Sequence, residues 1–197
     1  EPEFGHNPSM AISKILLASQ QMVKNEAEAD DFFLITPVHL NMGEIAYGIS
    51  AGYGEIHFTI RAWDSDLVKK NCLVLEELAK SIGRDEELKV EIEYEAEFAA
   101  NMNDDRAIGH LKQAVQRSNL EHTIINKAFK WGEDFGLFTQ KFPGAMFGLG
   151  SGEDCPALHN PDYDFPDQLI NIGADLFLAI VQQVQQAGLS ARAGKEG

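Results

Sequence analysis

Leu88-Lys89-Val90-Glu91-Ile92-Glu93-Tyr94-Glu95-Ala96-Glu97-Phe98 alternates apolar and charged side chains along its whole length, and how it is read decides the fold. Alternation with period two puts one row on each face of a strand, so the six apolar residues are predicted to be buried and the lysine and four glutamates solvated. A sheet with one wet face is antiparallel, or at least open on one side. The row of glutamates has a structural reason of its own, since like charges discourage edge-to-edge association. Glu55 to Ala62 alternates in the same way, with Ile56, Phe58 and Ile60 opposite His57, Thr59 and Arg61, while Phe32-Phe33-Leu34-Ile35-Thr36 reads as a strand or its approach. Ahead of these, Asn7-Pro8-Ser9 offers a cap and a first-turn proline to a helix from about residue 8 to 24. Between the last two strands, Ser65 is suited to cap a helix whose Val68, Leu75, Leu78, Ala79 and Ile82 share a stripe, with Gly83 as a left-handed terminator. Helix, strands, helix, strand is a ferredoxin-like split unit short of its opening strand.

Past Asn101-Met102-Asn103, a polar break able to cap the next helix, Ala107, Ile108, Leu111, Ala114 and Val115 mark a third helix. The chain then turns glycine-rich and aromatic from Trp131 to Gly152. That stretch predicts a short helix from about Glu133 to Lys141, stopped by Pro143-Gly144, and a buried strand from Ala145 to Leu149. An apolar core helix is expected from about Asp167 to Gln186, and a loose polar tail from Ser190 to Gly197. The fold class is therefore α+β, divided near residue 102 into segments 1–102 and 103–197.

Composition narrows the function. The 197 residues carry 31 acids against 16 bases, a net charge of -15. Such an excess repels nucleic-acid phosphates and anionic membrane surfaces. No run approaches the roughly 20 apolar residues of a membrane span. Cys72 and Cys155 make neither a disulfide framework nor a metal knuckle, which fits a reducing, cytoplasmic compartment. Glu1-Pro2-Glu3-Phe4-Gly5-His6 lacks the basic start and apolar core of a signal peptide, and a chain that opens this way is expected to have been cut from a longer one.

No two of the six histidines stand in a metal-clamp spacing, but His159 sits in a loop stiffened by Pro156 and Pro161. There an imidazole can serve as metal ligand, general base or substrate clamp, or simply brace the loop by hydrogen bonding. Cys155 with His159 suggests half a zinc site, with no second pair in view. Glu133-Asp134 opens the short helix, where carboxylates favour the positive end of the dipole. The functional alternative is a proton carrier partly desolvated among Trp131, Phe135 and Phe138. Gly148-Leu149-Gly150-Ser151-Gly152 looks like half a phosphate loop, but a prolyl loop follows it and nucleotide binding is rejected. Arg61 either pairs with acids of a neighbouring strand or holds a substrate carboxylate in its planar fork.

Several segments fall into one pattern in order. These are Pro2-Glu3-Phe4-Gly5-His6-Asn7-Pro8, Gly43 to Arg61, Glu97 to Asp104, Trp131-Gly132-Glu133-Asp134-Phe135, Phe142-Pro143-Gly144, Leu149-Gly150, and Leu158-His159-Asn160-Pro161 with Tyr163-Asp164. Together they resemble the metal-dependent amidohydrolases of the aminoacylase, hippuricase and succinyl-diaminopimelate desuccinylase type, metallopeptidase family twenty. The resemblance implies a ferredoxin-like lid that dimerises, followed by the C-terminal part of an α/β zinc-peptidase-like catalytic domain. It implies hydrolysis of the amide bond of N-acyl amino acids or small peptides at two divalent metals, zinc or alternatively manganese, cobalt or nickel, with a glutamate as general base. His159 matches the last metal ligand, Arg61 the lid arginine that holds the substrate carboxylate, Gly150 a substrate-lining glycine, and Glu133 an acid beside the site. The family's other ligands and its base precede Glu1, so the chain alone is expected to be inactive. Gly48 and Ala51 stand where the lid has an asparagine and a proline; these departures favour an alternative, a non-catalytic dimerisation or binding module derived from the family.

Overall fold

The computed structural model describes residues 1, 4–26, 29–125 and 127–193, with the side chains of 188–193 left aside. Pro2 and Glu3 of the opening motif, Ala27 and Glu28 of the acidic linker, and tail residues 194–197 lie outside the described residues. Two compact units form: residues 1–100 with 125–134, and residues 101–124 with 135–197.

In the first unit, helix α1 (Ser9–Gln21) starts where Asn7 Oδ1 accepts the Ser9 N–H at 2.9 Å, and buries Ala11, Ile12, Ile15 and Ser19. Strands β1 (Phe33–Met42) and β2 (Gly54–Ala62) pair antiparallel, Phe33 opposite Ala62 and Met42 opposite Gly54, with an irregularity between Pro37 and His39. Phe32, Phe33 and Ile35 are the buried anchors, and Phe32 stacks on Trp63 with ring centroids 4.1 Å apart. A Cβ on Gly54 would stand 2.6 Å from Ile12 Cδ1, which fixes the face of β2 turned to α1. Ile56, Phe58 and Ile60 share that face by parity.

Helix α2 (Ser65–Asp85) differs from expectation at both ends. Its cap is Asp64, whose carboxylate accepts the Leu67 N–H at 2.7 Å; Ser65 Oγ instead accepts the Ala100 N–H at 3.1 Å. The left-handed residue after the helix is Glu87 (φ +55°) rather than Gly83. Gly83 is needed for proximity: a Cβ there would meet Val90 Cγ2 at 2.3 Å and the Leu88 carbonyl at 3.2 Å.

The segment 88–98 corrects the sequence reading most. It belongs to no strand, and the sheet among the described residues has only β1 and β2. Alternation fixes the two faces of a strand, not its hydrogen-bond partner. Ala96 is also left-handed (φ +51°) and bends the run. Glu97, beyond that bend, remains exposed.

The second unit packs α3 (Asp105–Arg117) against α5 (Gln168–Ala193) through Ala114, Val115 and Leu176, joined by Leu111, Leu120, Phe147 and Ile180. Asp104, not the Asn101–Asn103 break, caps α3 by accepting the Arg106 and Ala107 N–H groups at 3.0 Å. Asn103 acts as a strand would: Oδ1 accepts the Met146 N–H and Nδ2 donates to the Met146 carbonyl, both at 2.9 Å. Residues 145–149 are not a strand and are half-buried at most. The short helix shrinks to α4 (Gly136–Thr139), leaving Glu133 outside it. Helix α5 runs seven residues past Gln186 to Ala193, over residues expected to be loose. It buries Leu176 but exposes Phe177, Leu178, Val181 and Val184, so it is an apolar helix with one covered stripe rather than a core helix.

Candidate functional site

Arg61 lies on the helix-remote face of β2, opposite Leu34 of β1. It makes no hydrogen bond or ion pair with the described residues, so the anticipated pairing with acids of a neighbouring strand is not what holds it. A half-exposed guanidinium with all five donors uncommitted can take a carboxylate in bidentate fashion.

The same face carries a cluster that residue spacing reveals only in part. The His39 and His57 rings meet edge to face at 5.1 Å, and both imidazoles approach Glu55, at 3.7 and 3.9 Å. The Tyr53 hydroxyl donates to Glu55 at 2.7 Å, which, with smaller help from the two imidazoles, holds that carboxyl below its ordinary range. Tyr53, Glu55 and His57 share one row by alternation, and the strand register, through the irregularity that sets His39 opposite His57, adds His39 to them.

Glu133 is exposed, on a loop before α4, so it is neither desolvated by Trp131, Phe135 and Phe138 nor in a helix's first turn. The same loop is tied down by Lys130, whose ammonium donates to Asn25 Oδ1 at 2.6 Å and lies 5.2 Å from the centre of the Phe32 ring. Gly150, in the second unit, is exposed, and a Cβ built on it meets nothing within 4 Å; a side chain would fit, and no steric reason requires glycine.

His159 is the distinctive residue of the second unit. The Asn160 N–H donates to the Ala157 carbonyl at 3.0 Å, closing a turn in which His159 holds φ +72°. That third turn position favours glycine or asparagine, and another residue bearing a Cβ there costs about 1–2 kcal/mol. Of the three other non-glycine residues with positive φ, Glu87 and Asn119 follow helices α2 and α3, where the Leu88 and Leu120 N–H groups return to Gly83 and Val115, and Ala96 bends the 88–98 run. His159 ends no helix. Its ring is exposed and makes no hydrogen bond or ion pair with the described residues, so it does not brace the loop. An exposed imidazole held in this strained turn is chemically able to bind a metal or move a proton. Cys155 is half-buried nearby in sequence, yet no group of three or more His, Cys, Asp or Glu among the described residues could hold a metal ion.

A depression of about 410 Å³ in the second unit is lined by Met102, Asn103, Asp104 and residues 139–143. None of the four candidate residues lines it. Two of its polar side chains are already engaged, Asn103 with Met146 and Thr139 Oγ1 with Asn101 at 3.0 Å.

The chain belongs to peptidase family M20/M25/M40, whose sequence pattern matches residues 12–183. Among particular relatives, it is 23% identical over 175 residues to an N-acetyldiaminopimelate deacetylase of Lactobacillus acidophilus, covering 88% of this chain and 45% of that protein. It is 26% identical over 179 residues to the deacetylase of the same name from Bacillus velezensis, covering 89% and 48%. The chain thus spans about half the length of the curated relatives it matches. Among solved structures, a Bacillus subtilis protein described as a dinuclear metal binding peptidase from the same family superposes with a TM-score of 0.67 at 17% identity, covering 90% of this chain and 46% of that one. A putative aminohydrolase from methicillin-resistant Staphylococcus aureus gives the same score at 18% identity, covering 92% and 47%. No helix among the described residues is long and apolar enough to cross a membrane.

Proposed function

We propose that this chain is part of a metal-dependent amidohydrolase that cleaves the amide bond of N-acyl amino acids or small peptides. Residues 1–102 would serve as its ferredoxin-like lid and residues 103–197 as the C-terminal part of its catalytic domain. The observation that carries the reading is the strained, exposed and uncommitted His159 in a member of this family. An imidazole so presented offers a ring nitrogen to a divalent metal. Two metals, zinc or alternatively manganese, cobalt or nickel, would supply an activated water and polarise the scissile carbonyl. The described donors do not by themselves make such a centre, and His159 is proposed as one ligand of a centre whose other donors lie outside them.

The chain's own contributions come from its side chains. Arg61 would bind the carboxylate that every N-acyl amino acid retains, a role its uncommitted fork suits. Relatives named N-acetyldiaminopimelate deacetylases make an N-acetylated amino acid with further carboxylates the first substrate to try. Gly150 would lie along the substrate path, leaving room beside its backbone. Glu133, exposed on its loop, would orient a ligand or carry a proton once the site is assembled. Homodimerisation through the lid is proposed on the exposed Val38, Leu40 and Met42 of β1, and a cytoplasmic setting on the free thiols Cys72 and Cys155.

The test is release of the free amine, and of acetate or the corresponding carboxylate, from N-acetyldiaminopimelate and other N-acyl amino acids by the protein at its native length, with added zinc, manganese, cobalt or nickel. Arg61→Ala is expected to raise KM about tenfold or more with a smaller loss in kcat, and His159→Ala to remove bound metal and activity together. Full activity in His159→Ala, or activity indifferent to chelators, refutes the reading. The second reading, a non-catalytic module, rests on Gly48 and Ala51. It predicts a native mass near that of this chain, 21.8 kDa, with no hydrolysis under any metal.

A further inference from the structure

The face of the β1–β2 hairpin turned away from α1 carries two separate charged features in one row. Along β2 that row is Glu55, His57, Thr59 and Arg61, and along β1 it is Asn41, His39, Thr36 and Leu34 opposite them. At one end stands Arg61, whose fork has no hydrogen bond or ion pair with the described residues. At the other stand Glu55, His39 and His57. Between them Thr36 faces Thr59, so short side chains floor the gap. The rise of a strand sets the Cα atoms of His57 and Arg61 about 13 Å apart. The long side chain of Arg61 is able to lean along the row and shorten that span.

The cluster is built around a gap. His39 Nε2 lies 3.7 Å from Glu55 Oε1, and His57 Nε2 lies 3.9 Å from Glu55 Oε2. Both separations exceed a direct hydrogen bond, so the carboxylate holds neither imidazole nitrogen. The Tyr53 hydroxyl donates to Glu55 at 2.7 Å and leaves the carboxylate further lone pairs. With the imidazole protons on Nδ1, one anion and two neutral acceptors converge on a space that a donor fits. A metal ion is not the occupant, since no group of three or more such residues among the described ones could hold one. A protonated amine suits it, with a positive charge for Glu55 and three N–H donors to share among the three acceptors. We propose that this row is a two-point binding site for a substrate with a carboxylate at one end, taken by Arg61, and a protonated amine at the other, taken by Glu55, His39 and His57. The inference rests on the role given to Arg61 in the proposed function. It narrows the substrate class to N-acyl amino acids or short peptides that carry a second, cationic head. A far end bearing only a carboxylate meets Glu55 as a like charge and is selected against.

The experiment titrates the whole chain with aminobutanoate, aminohexanoate and aminooctanoate, each with its amine at the chain end. It reads the imidazole proton resonances of His39 and His57, assigned with His39→Gln and His57→Gln. Octylamine and octanoate present each head alone. Aminooctanoate is expected to shift both resonances and to bind about tenfold more tightly than octylamine, octanoate or the short aminobutanoate, which cannot engage both heads at once. Glu55→Gln should abolish its advantage over octanoate, and Arg61→Ala its advantage over octylamine. Persistence of either advantage in its variant, equal binding of aminobutanoate and aminooctanoate, or no shift at either imidazole overturns the proposal. Octylamine that matches aminooctanoate in the unaltered chain overturns it too, and takes the carboxylate-binding role of Arg61 with it. Octanoate that matches aminooctanoate overturns it but leaves that role standing. The readout needs neither metal nor hydrolysis.

Discussion

Gly83→Ala tests the packing of the 88–95 segment on α2, because two effects of opposite sign compete there. In an open helix the exchange stabilises by about 0.8–1.0 kcal/mol through helix propensity. At Gly83 the new methyl would lie 2.3 Å from Val90 Cγ2 and 3.2 Å from the Leu88 carbonyl, more than an ångström inside normal carbon contact for the first. Gly83 is buried, and the same carbonyl-bearing turn is tied back by the Leu88 N–H to the Gly83 carbonyl at 2.7 Å, so the segment cannot yield without losing that bond. Overpacking of this kind costs about 1–3 kcal/mol, leaving a net loss of roughly 0–2 kcal/mol after the propensity gain. Val90→Ala removes the clashing methyl, so on that background Gly83→Ala should recover most of the loss and approach the open-helix gain, a coupling of about 1–3 kcal/mol. Urea unfolding followed by tryptophan fluorescence reads the first unit selectively, since Trp63 and Trp131, the chain's two tryptophans, both belong to it. A higher midpoint for Gly83→Ala in the otherwise unaltered chain, or the same shift with and without Val90, would show that the segment does not pack on α2 at this point.

Asp64→Ala should cost about 1 kcal/mol by freeing the Leu67 N–H, and Ser65→Ala, the residue expected from the sequence to be the cap, should cost less; the same urea assay compares them. Burial, with Glu76 and Glu97, pushes the Cys72 thiol up, and burial with the Glu76 hydrogen bond pushes the Tyr94 phenol up. Both groups are raised on folding, so their stabilisation is complete below their ordinary values and lost as pH rises through the alkaline range. Tyr94→Phe and Cys72→Ser should each flatten the alkaline fall in the unfolding midpoint. Glu76 is held low by Lys80 and then Tyr94, so its stabilisation is lost as pH falls through the acid range, and Glu76→Gln should flatten that limb. His159→Gly should stabilise the second unit by about 1 kcal/mol by relieving the left-handed turn, read as a raised melting midpoint in circular dichroism, while abolishing any metal affinity.

Helices α1, α2 and α3 and strand β2 are legible in the sequence because each is encoded within one short window, whereas β1 is read only over its first residues. The stripes of α2 and α3 and the alternation of β2 fall within a few residues of the observed bounds. What the sequence hides depends on a second partner. Alternation in 88–98 cannot say whether a strand lies beside it, and the left-handed Ala96 gives no signal in a run of good strand formers. Gly83 reads as a terminator because glycine serves both left-handed turns and close approach, and only the position of Val90 separates the two. The amide of Asn103, standing in for a neighbouring strand at Met146, belongs to the same kind of information.

The candidate site divides along the same line. His159 stands out in the sequence for the two prolines around it, a local feature, and the structure adds the strain that proline spacing cannot show. Arg61 is found through its row on β2, and the register leaves it without a partner across from Leu34. Glu133 is drawn in by its aromatic neighbours in sequence, but adjacency along a glycine-rich chain does not bury a carboxylate, and it stands exposed. The His39, His57 and Glu55 cluster escapes a reading of spacings because His39 meets the other two across strands through a single register irregularity. Strain and uncommitted donors, not proximity in sequence, therefore separate His159 and Arg61 from the other candidates. Of those candidates, they are the two residues at which a substitution should change binding or catalysis without costing the fold.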